Sequence, residues 1–210
     1  MKFYDREEQL EMLREMRELS YNGYSRLTVV TGRRRIGKTT LIKEAYKDEP
    51  YVYLFVGRKS ESVLCREFCE EYQAKTGTFV PPMSVFRDVF RFLMEEGKRR
   101  KYTLVFDEFQ NFLEVNPSIY SDIQNWWDRY QKESHVNMVV SGSVYSLMEK
   151  LFKNRKEPLY GRQDSTIKLQ AFPTSILKQI MEDNAPGYSN DDLLALYTFT
   201  GGIPKYVEFF

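Results

Sequence analysis

Two short stretches carry residues able to do phosphate chemistry. The first, Gly32-Arg33-Arg34-Arg35-Ile36-Gly37-Lys38-Thr39, has a glycine at each end of a loop, then an ammonium and a hydroxyl. The second, Leu104-Val105-Phe106-Asp107-Glu108, is an apolar run that ends in two carboxylates. A loop bounded by glycines can curl its backbone N–H groups inward onto phosphate oxygens, and a following helix adds the positive end of its dipole. The first stretch fits G-x-x-x-x-G-K-[ST] without a mismatch, so Gly32, Arg33, Arg34, Arg35, Ile36, Gly37, Lys38, Thr39 and Thr40 are expected to bind a nucleotide. Lys38 would reach the β- and γ-phosphates, and Thr39 would ligate Mg²⁺ through its hydroxyl. Arg33, Arg34 and Arg35 fill the variable positions, which can touch phosphate but more often face solvent or a partner.

Asp107 is expected to hold Mg²⁺ opposite Thr39, directly or through a water, and Glu108 to polarise the attacking water as general base. A polar side chain ending the strand beside the acidic one can reach the γ-phosphate or that water. Ser141 is therefore a candidate catalytic sensor, with Ser143 as the alternative or as a helix cap. No Asn-Lys-x-Asp guanine-reading motif is present, which favours ATP as the cofactor together with Mg²⁺. A small-molecule kinase stays open as a further reading, because Arg155 and Arg162 can imitate an arginine-rich phosphoryl-transfer lid.

Other chemistries are set aside by composition. His135 is the single histidine, and Cys65 and Cys69 are the only cysteines, so a multi-ligand zinc site is excluded. The two cysteines lie four apart beside Leu64, Phe68 and Tyr72, as apolar fillers of a helix would. A net charge of +1 argues against a surface devoted to coating nucleic acid, although Lys98-Arg99-Arg100-Lys101 leaves a DNA contact open. The Trp126-Trp127 pair leaves a protein partner or self-association open. No apolar run approaches the roughly 20 residues of a membrane span and no signal peptide opens the chain, so a cytoplasmic location with no membrane contact is expected.

The elements that must position these groups follow from hydrophobic rhythm. Strand-like runs at 27–31, 51–56, 103–107, 136–141 and 165–169 alternate with amphipathic helical stretches. This predicts an α/β fold, a P-loop three-layer α/β/α sandwich around a mainly parallel five-stranded sheet. The room for the 51–56 strand between the phosphate loop and Asp107 suggests an extra strand lying between those two in the sheet. Asp5 with Glu8 suggests a capping box opening a helix with Leu10, Leu13, Met16 and Leu19 as its apolar stripe. After Pro81-Pro82, Val85, Phe86, Val89, Phe90 and Leu93 form an inward face with Gly97 as a stop. Ile119, Ile123, Trp126 and Tyr130 are expected inward on the next helix. Helices are expected at 61–75, 174–183 and 191–198, the last opened by Ser189 and closed by Gly201-Gly202.

Taken in order, the pieces resemble the archaeal-type AAA ATPases, prokaryotic P-loop ATPases related to the signal-transducing STAND NTPases. The resemblance rests on Phe3-x-Asp5-Arg6-Glu7 with Leu10, on Thr31 to Thr39, and on Leu104 to Gln110. It continues through Ser141-Gly142-Ser143, Pro158-Leu159-Tyr160-Gly161-Arg162 and Gly201-Gly202-Ile203-Pro204-Lys205-Tyr206. It implies an ATP-hydrolysing nucleotide switch, with a non-hydrolysing, nucleotide-stabilised interaction module as the alternative. It also implies that Phe3 and Arg6 lie in the base pocket and that Arg162 is a transition-state arginine. Gly202, Ile203 and Pro204 would belong to a helical lid over the nucleotide. Residues 1–170 would then be the ATPase core and 171–210 the beginning of a lid that is cut short, since the resembled family usually continues further.

Overall fold

The computed structural model describes residues 3–210. The helices are α1 (Glu7–Asn22), α2 (Lys38–Ala45), α3 (Glu61–Thr76), α4 (Phe86–Arg99), α5 (Phe112–Val115), α6 (Ile119–Tyr130), α7 (Tyr145–Lys153), α8 (Thr174–Asn184), α9 (Asn190–Thr200) and α10 (Pro204–Val207). The strands are β1 (Arg26–Thr31), β2 (Tyr51–Phe55), β3 (Tyr102–Asp107), β4 (Val136–Gly142) and β5 (Ser165–Lys168). They pair in parallel in the order β2-β3-β4-β1-β5. A strand does lie between the phosphate-loop strand β1 and the acidic strand β3, but it is β4. The 51–56 run forms β2 at the sheet edge instead.

Side chains alternate across a strand, and here the alternation sorts the sheet into two covered faces. Leu104 and Phe106 of β3, with Val136, Met138 and Val140 of β4, pack under α3, α4, α6 and α7. Val105 and Val139 point the other way, to Leu10 and Leu13 of α1 and Leu41 and Ile42 of α2. Period two therefore puts Asp107 on the same face as Val105, and Ser141 on the same face as Val139. The first core is largely aromatic. The ring of Phe106 meets Phe68, Phe86, Phe90, Phe109 and Phe112 at centroid distances of 6.0 to 6.4 Å. Each such buried ring contributes about 1.5–3 kcal/mol of transfer free energy. The residue before Asp107 is thus held from every side.

Several local expectations need correction. α1 has no capping box: Asp5 has φ 53°, Arg6 is the cap residue, and the Arg6 N–H donates to Glu7 Oε2 at 3.0 Å. Only Leu10 and Leu13 of the expected stripe are buried, and Leu19 faces solvent, because α1 touches the sheet with one narrow edge. Val85 is likewise exposed, and α4 starts at Phe86. Gly97 does not stop α4. A Cβ there would lie 2.3 Å from Val136 Cγ2, so the glycine permits close approach of helix to strand and α4 continues to Arg99. On α6 the inward indole is Trp127, 1% exposed, four residues after Ile123 and eight after Ile119. Trp126 is half-buried, stacked on Tyr130 at 5.5 Å with Arg91 and Arg129 over its ring.

Cys65 and Cys69 are buried in the first core, and burial pushes the Cys65 thiol up to about 12, which leaves it an inert filler. Downstream, Ser189 caps α9 with a reciprocal capping box to Asp192, and Gly201 closes it at φ 56°. α8, α9 and α10 enclose a third apolar cluster of Leu177, Ile180, Leu196 and Val207, joined by Tyr4 and Phe172. Among the described residues no helix is long and apolar enough to cross a membrane.

Candidate nucleotide site

The loop after β1 curls because three of its positions exclude side chains or demand unusual backbone angles. A Cβ on Gly32 would meet Ile36 Cγ2 at 2.9 Å and the Leu169 carbonyl oxygen at 3.0 Å. Gly37, at φ 93°, turns the chain into α2, and Arg35 holds φ 65°, a costly angle for a residue with a side chain. Ile36 is buried beneath the loop, so the residue between these two strained positions anchors it. Lys38 folds back under the loop, donating to the carbonyls of Gly32 (3.0 Å) and Arg33 (3.2 Å). Burial lowers the Lys38 pKa, and the nearby Glu108 and Asp107 partly oppose that shift.

The acidic strand closes onto this loop. Thr39 Oγ1 donates to Asp107 Oδ2 at 2.9 Å, and the Glu108 backbone N–H donates to Asp107 Oδ1 at 3.0 Å. Tyr53 of β2 also donates its hydroxyl to Asp107 Oδ2. Burial first, then Asp107, raises the phenol's pKa, so it stays a protonated donor at neutral pH. Glu108 sits at φ 54°, and its Oε2 accepts from Ser143 Oγ at 2.7 Å and from the Gln110 amide. Ser141 is fully buried, and its hydroxyl has no hydrogen-bond partner among the described residues.

Of these groups, Thr39 and Glu108 open onto a cavity of about 430 Å³ also lined by Arg34, Arg35, Gly37, Lys38 and Thr40. Pro204, Lys205 and Glu208 form its opposite wall. Four cationic side chains on one cavity suit a polyphosphate. A second, smaller cavity of about 80 Å³ adjoins it and shares Gly37, Thr40, Pro204 and Glu208. Phe3, Tyr4, Arg6, Ile36 and Phe172 complete that one. Arg6 is buried there, donating to the Gln170 carbonyl at 2.7 Å and lying 5.2 Å over the Phe172 ring, and desolvation lowers its pKa. A larger opening of about 950 Å³ lies between α3 and residues 77–84. It lacks the phosphate-binding loop, which lines the cavity of about 430 Å³ instead.

The fold thus gathers Phe3, Arg6, Arg34, Arg35, Gly37, Lys38, Thr39, Thr40, Glu108 and Pro204 around two joined cavities, with Asp107 hydrogen-bonded behind Thr39. Arg33 is exposed and lines neither. Arg162 is not brought in: its guanidinium makes two bonds to Asp128, at 2.8 and 2.6 Å, and one to the Pro158 carbonyl. The basic run at 98–101 precedes the amino end of β3, away from Asp107, with Lys98 paired to Glu133 and both arginines to Glu96. Sequence reasoning missed Tyr53, Gln110, Lys205 and Glu208. Gln110 and Lys205 lay within the quoted motifs, whereas Tyr53 carried no signal beyond being a polar-tipped ring in a strand.

Thr39 and Asp107 supply two hard oxygens 2.9 Å apart, the pair able to hold a divalent cation. Among the described residues no group of three or more His, Cys, Asp or Glu can do so. Mg²⁺ is commonly held by one or two protein oxygens plus substrate phosphates, so the donor set fits a metal that arrives with a nucleotide.

Comparison with known proteins agrees with this geometry. The family described as an ATPase domain predominantly from Archaea matches residues 3–210. An uncharacterised protein of Methanocaldococcus jannaschii, MJECL04, is 28% identical over 206 residues, covering 98% of this chain and 43% of that protein. The Walker-type ATPase PABY2304 of Pyrococcus abyssi superposes with a TM-score of 0.69 at 20% identity, over 99% of this chain and 67% of its own. The ORC2 protein of Aeropyrum pernix, solved as ADPNP–ADP complexes, gives 0.71 at 15% identity, over 99% and 61%. At these identities the two structures show a shared fold. This chain spans less than half the length of MJECL04.

Proposed function

This chain belongs to the family of ATPase domains found predominantly in Archaea, and from that premise we propose that it binds ATP with Mg²⁺, hydrolyses it and serves as a nucleotide switch. The observation that carries the reading is the Thr39–Asp107 hydrogen bond, which joins the phosphate loop to the acidic strand at a cavity also lined by Lys38 and Glu108. Bound Mg²⁺ would neutralise charge on the phosphates. Lys38 would exchange its loop carbonyls for β- and γ-phosphate oxygens, and the backbone N–H groups from Gly32 to Thr40 would cradle the chain. Thr39 and Asp107 would hold the cation. Glu108 would take a proton from the attacking water on Oε1, while Ser143 and Gln110 hold the carboxylate through Oε2.

The small cavity between Phe3, Arg6 and Pro204 suits a flat, apolar base, and the adenine-nucleotide complexes of the Aeropyrum pernix ORC2 protein support that choice. Ser141, buried on the Asp107 face and without a hydrogen-bond partner among the described residues, remains the sensor. The separate cluster under α8, α9 and α10 supports a division into a core at 1–170 and a lid segment at 171–210. A nucleotide panel scored for both thermal shift and phosphate release tests the reading. Lys38→Ala should lose the shift, and Glu108→Gln should keep it without releasing phosphate. Phosphate release that survives both substitutions would sink the assignment.

The alternative, a module that binds nucleotide without hydrolysing it, draws on one observation. Arg162 is committed to Asp128, so no transition-state role is open to it until that pair breaks. A melting temperature raised by Mg-ATP with no phosphate release, with or without a protein partner, DNA or a second copy added, favours this reading.

A further inference from the structure

Asp107 is held more tightly than the loop-to-strand contact alone requires. Its Oδ2 accepts two hydroxyls, from Thr39 and from Tyr53, and its Oδ1 accepts the Glu108 N–H. A carboxylate offers about four lone-pair sites, so three are spent and one, on Oδ1, is left. The donor that nothing in the nucleotide reading assigns is Tyr53. It lies in β2, the edge strand, where it pairs in register with Val105, while Phe55 pairs with Asp107. Strand alternation puts Tyr53 and Asp107 on one face, and the phenol crosses diagonally to the carboxylate. Tyr53 is half-buried against the second core, with Lys43 Nζ 5.8 Å from its ring, so its own position is fixed by packing.

We propose that Tyr53 is a positioning residue for the divalent-cation site, fixing the Asp107 carboxylate so that Thr39 and the remaining lone pair of Oδ1 are what the cation or its water meets. The inference rests on the nucleotide reading above. Thr39 lines the cavity and can donate its proton to Asp107 while still offering oxygen lone pairs there, whereas Tyr53 does not line the cavity and reaches the site through the carboxylate. Without the phenolic hydroxyl, Oδ2 keeps only Thr39 and Oδ1 only the Glu108 N–H, so the carboxylate is less firmly held. Outer partners of metal ligands cost roughly 10–100-fold in metal affinity when removed.

The test compares wild type with Tyr53→Phe, which keeps the ring and deletes the bond. Melting is followed at saturating ATP while MgCl₂ is titrated, with ATP in EDTA and protein alone as baselines. The half-saturating Mg²⁺ concentration should rise about 10-fold, and both baselines should stay where they are. Introduced into Asp107→Asn, the same change should move the residual Mg²⁺ response by less than about 2-fold, because the two act through one carboxylate. An unchanged Mg²⁺ dependence in Tyr53→Phe overturns the proposal, as does an equal loss in the Asp107→Asn background. A shift confined to the baselines also overturns it, since that is packing alone. If wild type itself shows no Mg²⁺-dependent response to ATP, the nucleotide reading fails and takes this proposal with it. That outcome is visible before any variant is made.

Discussion

The two walls of the nucleotide cavity are built to different standards. The wall carrying Glu108, with Asp107 behind it at Thr39, grows from a strand whose residue Phe106 is enclosed by aromatic rings, and each acidic side chain is held by more than one donor. The facing wall, Pro204 to Glu208, rests on α8, α9 and α10, whose apolar cluster is small. That part also leaves Leu194, Tyr197, Phe199 (73% exposed), Phe209 and Phe210 (78%) open. Phosphoryl transfer needs its acidic groups fixed to fractions of an ångström, and dense packing supplies that. A wall that must let a nucleotide in and out belongs at the low-stability end of the fold. The two meet at Arg35, whose carbonyl accepts the Lys205 N–H at 3.3 Å and whose guanidinium lies 5.3 Å over Tyr206.

The contrast can be broken or sharpened in stages. The largest effect is expected on the rigid wall: Glu108→Gln should lower phosphate release by about 10²–10⁴-fold while leaving nucleotide binding intact, read by single-turnover assay beside thermal shift. Next, Phe106→Ala should destabilise the whole chain by about 3–5 kcal/mol, measured by urea unfolding. If it instead loosens only residues near Asp107, the aromatic cluster is not the common support described here. Leu177→Ala, in the thin cluster, should cost about 2–4 kcal/mol locally. Amide exchange should then quicken in α8, α9 and α10 with little change in β3 and β4, and equal acceleration throughout would erase the distinction between the walls. Ser189→Ala, which removes the α9 cap, should cost about 1 kcal/mol and show as faster exchange in the first turn of α9 alone.

What could be foreseen divides along similar lines. The phosphate loop, the strand before it and the Asp107 strand were legible because each is written in consecutive residues with strong local rules. Ser189 and Gly201 announced α9 for the same reason. Gly97 was misjudged because a glycine stopping a helix and a glycine admitting a neighbouring strand are the same letter, and Val136 decides between them. Trp126 and Trp127 are adjacent, so which indole turns inward depends on the register set by Ile119 and Ile123. The Asp5–Glu8 pair had the right spacing, yet Arg6 is drawn to the Gln170 carbonyl and the Phe172 ring, and the chain bends at Asp5 accordingly.

By itself, then, the sequence determined the chemistry available: a glycine-bounded loop with Lys38 and Thr39, two carboxylates closing an apolar strand, and the alternation that makes a parallel sheet. Those depend on near neighbours in the chain and on periodicity. Only the tertiary structure decided that β4 rather than β2 separates the loop from the acids, that Tyr53 reaches Asp107 from the sheet edge, and that Arg162 is spent on Asp128. Each of these is a contact between residues far apart in the chain. Their partners are chosen by how the strands order themselves to bury both faces, and no local pattern encodes that order.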